Sequence, residues 1–350
     1  MKHLIVVHSH LSYLVINQYF LDRNIDPDDC LFIVNARYRH LPEGNHYTNF
    51  IFFPDELLPD GFKRVFHKNN IITGIKNIKF IENRINEFFH GDFFLMYLTT
   101  TSLDYLSALV TMKQCKGYYL MEEGSASYYR KAEIPKLYKG AAYGFAFILS
   151  KILPRFFALK CSSFSYDNKY FLGTISTAEN AFPDFPGVHI VINTPFTGIE
   201  LDSVPDVILS IDSSLMISLG DFFPKELYEK IAVFFKNKGY KSIAYKFHPK
   251  YFVFPELLAA YREGLTSVFG ENIVELPESS QLENYFLSYP IDFCSDFSSV
   301  GIYASNFGRK CYSYRDLVME TYPDSTYDKD FNIPKIVFGF YTKINASEIQ

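Results

Sequence analysis

The feature that most constrains the fold is a regular alternation of short apolar runs with longer segments of helical periodicity. Ten runs have the length of a β-strand, five in each half of the chain. They are Leu4–Val7, Leu31–Val34, Asn49–Phe53, Phe93–Leu98, Gly117–Met121, Asp206–Ile211, Ser242–Phe247, Asn272–Leu276, Ile291–Cys294 and Lys310–Ser313. Strands that alternate with helices are typical of α/β proteins with parallel sheets. The sequence therefore predicts two such sheets.

A change in composition marks the division between the two halves. The segment Ala181–Val204 is rich in proline and glycine, as expected where one domain ends and the next begins. We place the boundary near residue 200, which gives an N-terminal domain of residues 1–200 and a C-terminal domain of residues 201–350. The end of the chain is expected to pack back on the first domain. In the second domain, a helix is predicted from about Pro224 to Lys238, with Gly239 after its end.

Charge and cysteine content exclude several classes of protein. The 34 Lys and Arg against 39 Asp and Glu give a net charge of -5, without a basic stripe for a row of phosphates, so no nucleic-acid partner is expected. The 5 cysteines are scattered and lack CxxC spacing, which argues against a zinc site or a disulfide framework. The N-terminal sequence is typical of a first strand and not of a signal peptide. A cytoplasmic location follows.

The most hydrophobic window comprises residues 141–159. Lys151, Pro154 and Arg155 interrupt it before it reaches the ~20 apolar residues that a membrane span needs. Two interpretations remain. The window is either a buried helix of the first domain or an amphipathic element that makes a peripheral contact with the inner face of the cytoplasmic membrane.

The first chemical motif is Glu122-Glu123-Gly124, which follows a predicted strand. Two adjacent carboxylates at the end of a buried strand repel each other, which raises at least one pKa towards that of a general base. Gly124 permits a sharp turn there. The alternative is a solvated turn with two surface acids.

Two further motifs follow strands of the second half. In His248-Pro249, the proline favours extended backbone at the histidine, whose ring can donate a proton or a hydrogen bond to a departing phosphate. Ser298-Ser299 stands where a strand ends and a helix begins, so hydroxyl groups and free N–H groups could hold a phosphate there. Either motif taken alone could instead be a structural loop or a helix cap.

The three motifs occur in one order, as YLMEEGSAS, KFHPKY and DFSSVGIYA. In this the chain resembles the bacterial sialyltransferases of the GT-B type, which comprise the lipooligosaccharide sialyltransferases and the capsular polysialyltransferases. Their motifs are (Asp/Glu)(Asp/Glu)Gly, His-Pro and Ser-(Ser/Thr). The segments LMYLTTTSLDYLSALV and LENYFLSYP also look like the lipooligosaccharide group. The resemblance extends over roughly residues 90–310.

The resemblance implies a GT-B fold, with two Rossmann-like domains whose parallel sheets face each other across a cleft. The first domain would bind a glycan acceptor, and the second would bind CMP-sialic acid (CMP-Neu5Ac). Transfer would proceed with inversion and without a cofactor or a metal. Ser298 and Ser299 would hold the CMP phosphate beside Pro249, and His248 would protonate or hydrogen-bond it as it leaves. Glu283, from LENYF, would accept hydrogen bonds from the ribose.

The general base has two candidates under this resemblance. Glu122 ranks first, with Glu123 orienting it or the turn. The lipooligosaccharide branch instead points to an aspartate after the first strand of the second domain, which here is Asp212.

Candidate acceptor contacts follow two other predicted strands. They are Ser9 and His10 after the first strand, and Thr100 and Thr101 in a Thr/Ser-rich turn. The alternative roles are a turn at the end of a strand and a helix cap. The segment Asp26–Asp29 contains an acidic DxD spacing, but it precedes a strand and is better read as a solvated turn than as a metal site.

Two other functions stay open at this stage. One is a transferase that uses a different CMP- or CDP-linked donor, such as CMP-Kdo or CDP-glycerol. The other is a glycan-binding protein without activity, in which the 36 Phe and 27 Tyr residues provide stacking surfaces. The identity of the acceptor, whether a lipooligosaccharide galactose, a capsular chain or an oligosaccharide, is not encoded in these motifs.

Overall fold

A computed structural model describes residues 1–7, 9–35, 47–53, 68–99, 109–130, 166, 169–192, 201, 203–220, 222–270, 273–323, 325, 327 and 335–349. The chain forms two compact units, Met1–Pro195 and Phe196–Gln350. Each unit is built on a parallel β-sheet of its own.

The first unit contains a seven-stranded sheet in the order β3-β2-β1-β4-β5-β6-β7. Every adjacent pair of strands is parallel. The strands are β1 (Lys2–Val7), β2 (Cys30–Asn35), β3 (Phe50–Phe53), β4 (Phe94–Leu98), β5 (Cys115–Met121), β6 (Phe171–Ser176) and β7 (Val188–Val191).

Strand β1 explains why the apolar runs are continuous and do not alternate with polar residues. Residues from Leu4 to Val7 are all at most 1% exposed, so both faces of this central strand are covered. The described helices of the unit are α1 (His10–Asp22) and α2 (Lys68–Phe89). Helix α1 follows β1 directly and buries most of its residues.

The second unit contains a six-stranded sheet in the order β10-β9-β8-β11-β12-β13, again parallel at every adjacent pair. The strands are β8 (Val207–Ile211), β9 (Ile243–Phe247), β10 (Ile273–Glu275), β11 (Asp292–Ser295), β12 (Cys311–Ser313) and β13 (Thr342–Lys343). In both sheets the first strand lies beside the fourth, which is the order of a Rossmann fold.

The described helices of the second unit are α3 (Ser213–Leu219), α4 (Lys225–Lys238), α5 (Pro255–Phe269), α6 (Leu282–Ser288), α7 (Ser299–Asn306) and α8 (Arg315–Thr321). Helix α4 confirms the predicted helix. Its apolar face, with Leu227, Ile231 and Phe234, is completely buried. The helix ends at Gly239, which adopts the left-handed conformation (φ 82°) that glycine tolerates best.

All ten predicted strands are present, and the predicted α/β fold class is confirmed. The sequence missed β6, β7 and β13. Strand β7 lies within the segment expected to be a linker, while the predicted boundary falls in residues 193–200, which lie outside the described residues. The C-terminal segment, expected to pack on the first domain, adds β13 to the second sheet.

Among the described helices, none combines the length and the apolar content that crossing a lipid bilayer requires. The window of residues 141–159 lies outside the described residues, and so its proposed contact with a membrane stays a prediction.

Candidate active site

The carboxyl edge of the second sheet brings together the His-Pro and Ser-Ser motifs. His248 follows β9, Asp212 follows β8, and the segment Asp296–Ser299 follows β11. Because the order is β9-β8-β11, Asp212 lies between the other two, which are two strand spacings or about 10 Å apart. The order of strands reverses between β8 and β11, and open parallel sheets bind ligands at such a switch point.

The backbone around His248 has the geometry that the following proline favours. Its φ and ψ of -62° and 139° are extended, and its N–H donates to the Ile211 carbonyl at 3.0 Å. Pro249 then begins a short 3₁₀ helix, Pro249–Val253. Nδ1 of His248 accepts a hydrogen bond from the Lys250 N–H at 3.2 Å. In the neutral ring the proton is therefore on Nε2, which can donate to a ligand.

Partial desolvation of the ring, together with the positive charges of Lys250 and Lys246, lowers the pKa of His248 below 6.5. The free ring is neutral at pH 7. An anionic ligand would reverse this effect, because a negative charge beside an imidazole stabilises its protonated form.

Asp212 is held by three donors. The N–H of Asp296 (2.7 Å) and the hydroxyl of Tyr314 (2.9 Å) both donate to Oδ2, while the hydroxyl of Ser210 (2.9 Å) donates to Oδ1. Burial and the nearby charge of Asp296 raise the pKa of Asp212 to about 6, although these hydrogen bonds act in the opposite direction. A carboxylate has about four lone-pair positions, so one on Oδ1 is left for a further proton.

Asp296 and Arg315 form a buried ion pair beneath this site. Each side chain is about 5% exposed, and Arg315 Nη1 lies 3.5 Å from Asp296 Oδ1. Burial raises the pKa of Asp296, and the guanidinium of Arg315 offsets part of that effect. Since Arg315 begins α8, directly after β12, it also stands at the carboxyl edge.

The Ser-Ser motif begins helix α7. Ser298 is the N-cap, with extended backbone (φ -93°, ψ 145°), and its hydroxyl accepts a hydrogen bond from the Val300 N–H at 3.3 Å. Ser299 is the first helical residue and is half-buried. The N-terminus of a helix attracts anions through its N–H groups and its dipole. Ser298 thus caps α7, and this cap is compatible with phosphate binding.

Glu283 lies in the first turn of α6. Burial raises its pKa, and the positive charge of Lys246 acts in the opposite direction. The Nζ of Lys246 donates to the Glu278 carbonyl at 3.0 Å. Lys246 lies in β9 and His248 follows it two residues later with extended backbone, so both side chains leave the chain on the same side. Glu283 and His248 thus both lie within the electrostatic influence of Lys246.

The acidic motif of the first unit differs from the motifs of the second unit because one of its carboxylates is completely buried. Glu122 is 0% exposed. One of its carboxylate oxygens accepts from the Tyr128 hydroxyl (2.5 Å), and the other accepts from the N–H (2.6 Å) and the hydroxyl (2.8 Å) of Thr177. Through these hydrogen bonds, the Glu122 carboxylate joins the end of β5 to the end of β6. Glu123 is the more exposed member, and its N–H donates to Ser127 Oγ at 2.8 Å.

The remaining candidates of the first unit are Ser9 and His10, at the start of α1, and Thr100 and Thr101. Ser9 caps α1, accepting from the Ser12 N–H at 3.2 Å, while Ser12 in turn accepts from the Ser9 N–H. His10 is the first residue of that helix and is buried. Thr100 and Thr101 lie outside the described residues. The role of all four residues in binding the acceptor stays a prediction.

Comparison with solved structures supports the architecture. A structure from Listeria monocytogenes assigned as a UDP-N-acetylglucosamine 2-epimerase is 12% identical, and the match covers 91% of this chain and 81% of that chain with a TM-score of 0.52. The chain has a GT-B type fold. A sialyltransferase from Photobacterium damsela also matches, at 10% identity over 91% of this chain and 79% of that chain, with a TM-score of 0.49. No protein-family model and no curated protein matches the sequence.

The sequence analysis missed two residues of this site, although the sequence contained a signal for each. Asp296 lies two residues before Ser298, at the end of a predicted strand, and Arg315 lies two residues after another. Both positions belong to the edge where α/β proteins bind ligands. Within the described ranges, no cluster of three or more His, Cys, Asp or Glu side chains could hold a metal ion.

Proposed function

We propose that the chain is an inverting, metal-independent sialyltransferase that moves sialic acid from CMP-sialic acid to a hydroxyl group of a glycan. The observation that carries this proposal is the arrangement at the carboxyl ends of the second sheet's strands, where a hydrogen-bond donor at His248 and a helix N-terminus at Ser298 flank a carboxylate with a pKa of about 6. The order of the three sequence motifs supports sialic acid as the sugar.

In this mechanism the phosphate of the donor binds at the N-terminus of α7. The Ser299 N–H and the hydroxyl groups of Ser298 and Ser299 donate hydrogen bonds to it. From the opposite side, Nε2–H of His248 donates to a phosphate oxygen. As the bond between the anomeric carbon and the phosphate oxygen breaks, the electron pair stays on CMP. Fixed donors stabilise this charge, and a single such donor contributes roughly 10²–10³-fold in rate.

Asp212 is the proposed general base. It accepts the proton of the acceptor hydroxyl while that oxygen forms its bond to the anomeric carbon. A base works best when its pKa lies near the working pH, and the surroundings of Asp212 raise its pKa to about 6. Glu122 is 0% exposed whereas Asp212 is half-buried, which favours Asp212 over Glu122 and reverses the order inferred from the sequence.

The charges near His248 suit an anionic donor. CMP-sialic acid carries one phosphate and one carboxylate, and two lysines, Lys246 and Lys250, are close enough to His248 to lower its pKa. Glu283 would accept hydrogen bonds from the ribose, as carboxylates do in other nucleotide sites.

The experiment is to measure CMP release from CMP-sialic acid with and without lactose as the acceptor, by the native chain and by His248→Asn. Release that lactose stimulates, and that falls at least 100-fold in the variant, is expected. CDP-glycerol and UDP-N-acetylglucosamine serve as parallel donors. Turnover of either in place of CMP-sialic acid would overturn the choice of donor. Absence of release and of CMP binding by calorimetry would overturn the proposal as a whole.

A further inference from the structure

The hydroxyl group of Tyr341 is built into the turn that begins helix α7. Tyr341 lies directly before β13, and its ring packs edge-on against Phe297 with 5.2 Å between the ring centroids. Its hydroxyl oxygen accepts a hydrogen bond from the Ser298 N–H at 3.0 Å and donates one to the Ser298 carbonyl at 2.6 Å. Ser295 Oγ lies 3.2 Å from the same oxygen.

These contacts form a consistent set of donors and acceptors. A tyrosine hydroxyl has one proton, which the Ser298 carbonyl receives, so Ser295 must act as the donor to Tyr341. Burial raises the pKa of Tyr341, so the hydroxyl group keeps that proton at neutral pH. All three hydrogen-bonding positions of the oxygen are therefore used within the turn.

Gly301, which lacks a Cβ atom, leaves space for the Tyr341 hydroxyl oxygen. A Cβ atom placed on Gly301 would lie 1.9 Å from the Tyr341 hydroxyl oxygen, far inside van der Waals contact. Gly301 is in the first turn of α7, and its own N–H donates to the Ser298 carbonyl at 3.1 Å. Any larger residue there would displace Tyr341 from the turn.

We infer that Tyr341 is a positioning residue for the phosphate-binding turn of the proposed sialyltransferase. By holding both the N–H and the carbonyl of Ser298, Tyr341 fixes the peptide planes on either side of the N-cap. It thereby directs the Ser299 N–H and the hydroxyl groups of Ser298 and Ser299 towards the ligand. The Ser298 N–H is engaged by Tyr341, which leaves Ser299 as the first backbone donor for a phosphate. This inference rests on the function proposed above.

The test compares CMP with cytidine, because only CMP carries the phosphate. We measure both affinities by calorimetry for the native chain, Tyr341→Phe and Ser295→Ala. Loss of a hydrogen bond that orders the turn should weaken CMP binding about 10-fold in Tyr341→Phe. Ser295→Ala, a milder change that leaves the tyrosine in place, should weaken it about 2–3-fold. Cytidine should bind all three chains equally well.

Tyr240→Phe is the matched control. Its hydroxyl also makes a short hydrogen bond, to Asp292 Oδ2 at 2.5 Å, but at the amino end of β11 and so at the opposite edge of the same sheet. Its ratio of cytidine to CMP affinity should equal that of the native chain, even if its unfolding temperature falls.

Four results would overturn the inference. CMP binding by Tyr341→Phe with native affinity, or an equal loss for CMP and cytidine, would leave the proposed function standing and reduce Tyr341 to a packing residue. A native chain that binds cytidine as tightly as CMP, or binds neither, would overturn the proposed function and the inference together.

Discussion

The backbone N–H of Asp296 donates a hydrogen bond of 2.7 Å to Oδ2 of Asp212 and so joins the carboxyl ends of β11 and β8. These are the two strands between which the second sheet reverses its order. The two carboxylates lie close enough that the charge of Asp296 raises the pKa of Asp212. The position where a Rossmann-type sheet binds its ligand thus contains a carboxylate with an unusually high proton affinity.

Replacement of Asp212 by Asn should remove the proposed base without reducing donor binding. We expect turnover to fall by roughly 10²–10⁴-fold, because general-base catalysis contributes about that much. The affinity for CMP should not fall, since the change removes a negative charge near the phosphate. In the native chain, kcat/KM should rise with pH through about 6, as Asp212 loses its proton.

Asp206→Asn is the control for this variant. Asp206 accepts hydrogen bonds from the Lys241 and Ser242 N–H groups just before β8, at the other end of the strand from Asp212. It should keep native turnover. Turnover within threefold of native in Asp212→Asn would remove Asp212 from the mechanism.

The same variant should be more stable than the native chain at neutral pH. An unfolded aspartate titrates near about 3.9, whereas the pKa of Asp212 in the folded chain is about 6. Between these values the folded chain binds more protons, so the stability that protonated Asp212 contributes is full below about 3.9 and is lost as pH rises through about 6. The unfolding temperature of Asp212→Asn should exceed the native value by an amount that grows from pH 4 to pH 6.5.

Each kcal/mol of that gain corresponds to about 2–4 °C for a domain of this size. Asn can keep the three contacts, with its oxygen facing the Asp296 N–H and the Tyr314 hydroxyl and its amide facing Ser210. An unfolding temperature difference that does not change with pH would contradict the raised pKa. Thermal unfolding followed by circular dichroism at several pH values is the measurement.

His248→Asn separates the chemical role of the histidine from its structural role. The Asn oxygen can replace Nδ1 as the acceptor of the Lys250 N–H and so preserve the cap of the 3₁₀ helix, but it provides no donor at the position of Nε2. Turnover should fall by roughly 10²–10³-fold while the unfolding temperature stays close to native. His248→Ala loses both the donor at Nε2 and the acceptor that caps the 3₁₀ helix, and so its unfolding temperature should also fall. Equal turnover in native and Asn chains would assign His248 a capping role alone.

The sequence predicted ten of the described strands and missed three, β6 and β7 on one side of the first sheet and β13 at one end of the second. All ten apolar runs are strands, because buried parallel strands need continuous apolar residues. Strand β6 has Gly173 at its centre, where a Cβ would lie 2.0 Å from the Val188 carbonyl oxygen. Strand β7 is short, and Val188 is 57% exposed. Strand β13 has 2 residues, too few for a periodicity.

The site was predictable where one motif contains both the residue and its support. Pro249 fixes the backbone of His248, and Ser298 caps its own helix. Contacts between distant segments were not predictable. Asp212 meets Asp296 across 84 residues, and Tyr341 meets Ser298 across 43. The sequence ranks Glu122 first as a base and does not show its contact with Thr177, which lies 55 residues away and follows a strand that the sequence did not predict.

Glu122→Gln should affect stability more than catalysis. A Gln side chain has one acceptor oxygen, so its amide would face a donor, either the Tyr128 hydroxyl or Thr177. A buried donor without an acceptor costs about 1–3 kcal/mol, and we expect the unfolding temperature to fall accordingly. Glu123→Gln, at the more exposed neighbour, should unfold like the native chain. Turnover is measured well below the unfolding temperature. A fall of 10³-fold or more in a folded Glu122→Gln chain would restore Glu122 as the base.

The ion pair of Arg315 and Asp296 should couple strongly, because both side chains are buried. Arg315→Met leaves the Asp296 carboxylate uncompensated, which costs about 3–5 kcal/mol in buried pairs. Adding Asp296→Asn removes that charge, so the double variant should recover most of the loss in urea unfolding. In Arg315→Met alone the loss should shrink at lower pH, since Asp296 can then take up a proton. Strictly additive single and double variants would mean that Arg315 stabilises α8 by packing on Phe297, 5.7 Å from its guanidinium carbon, and not by charge.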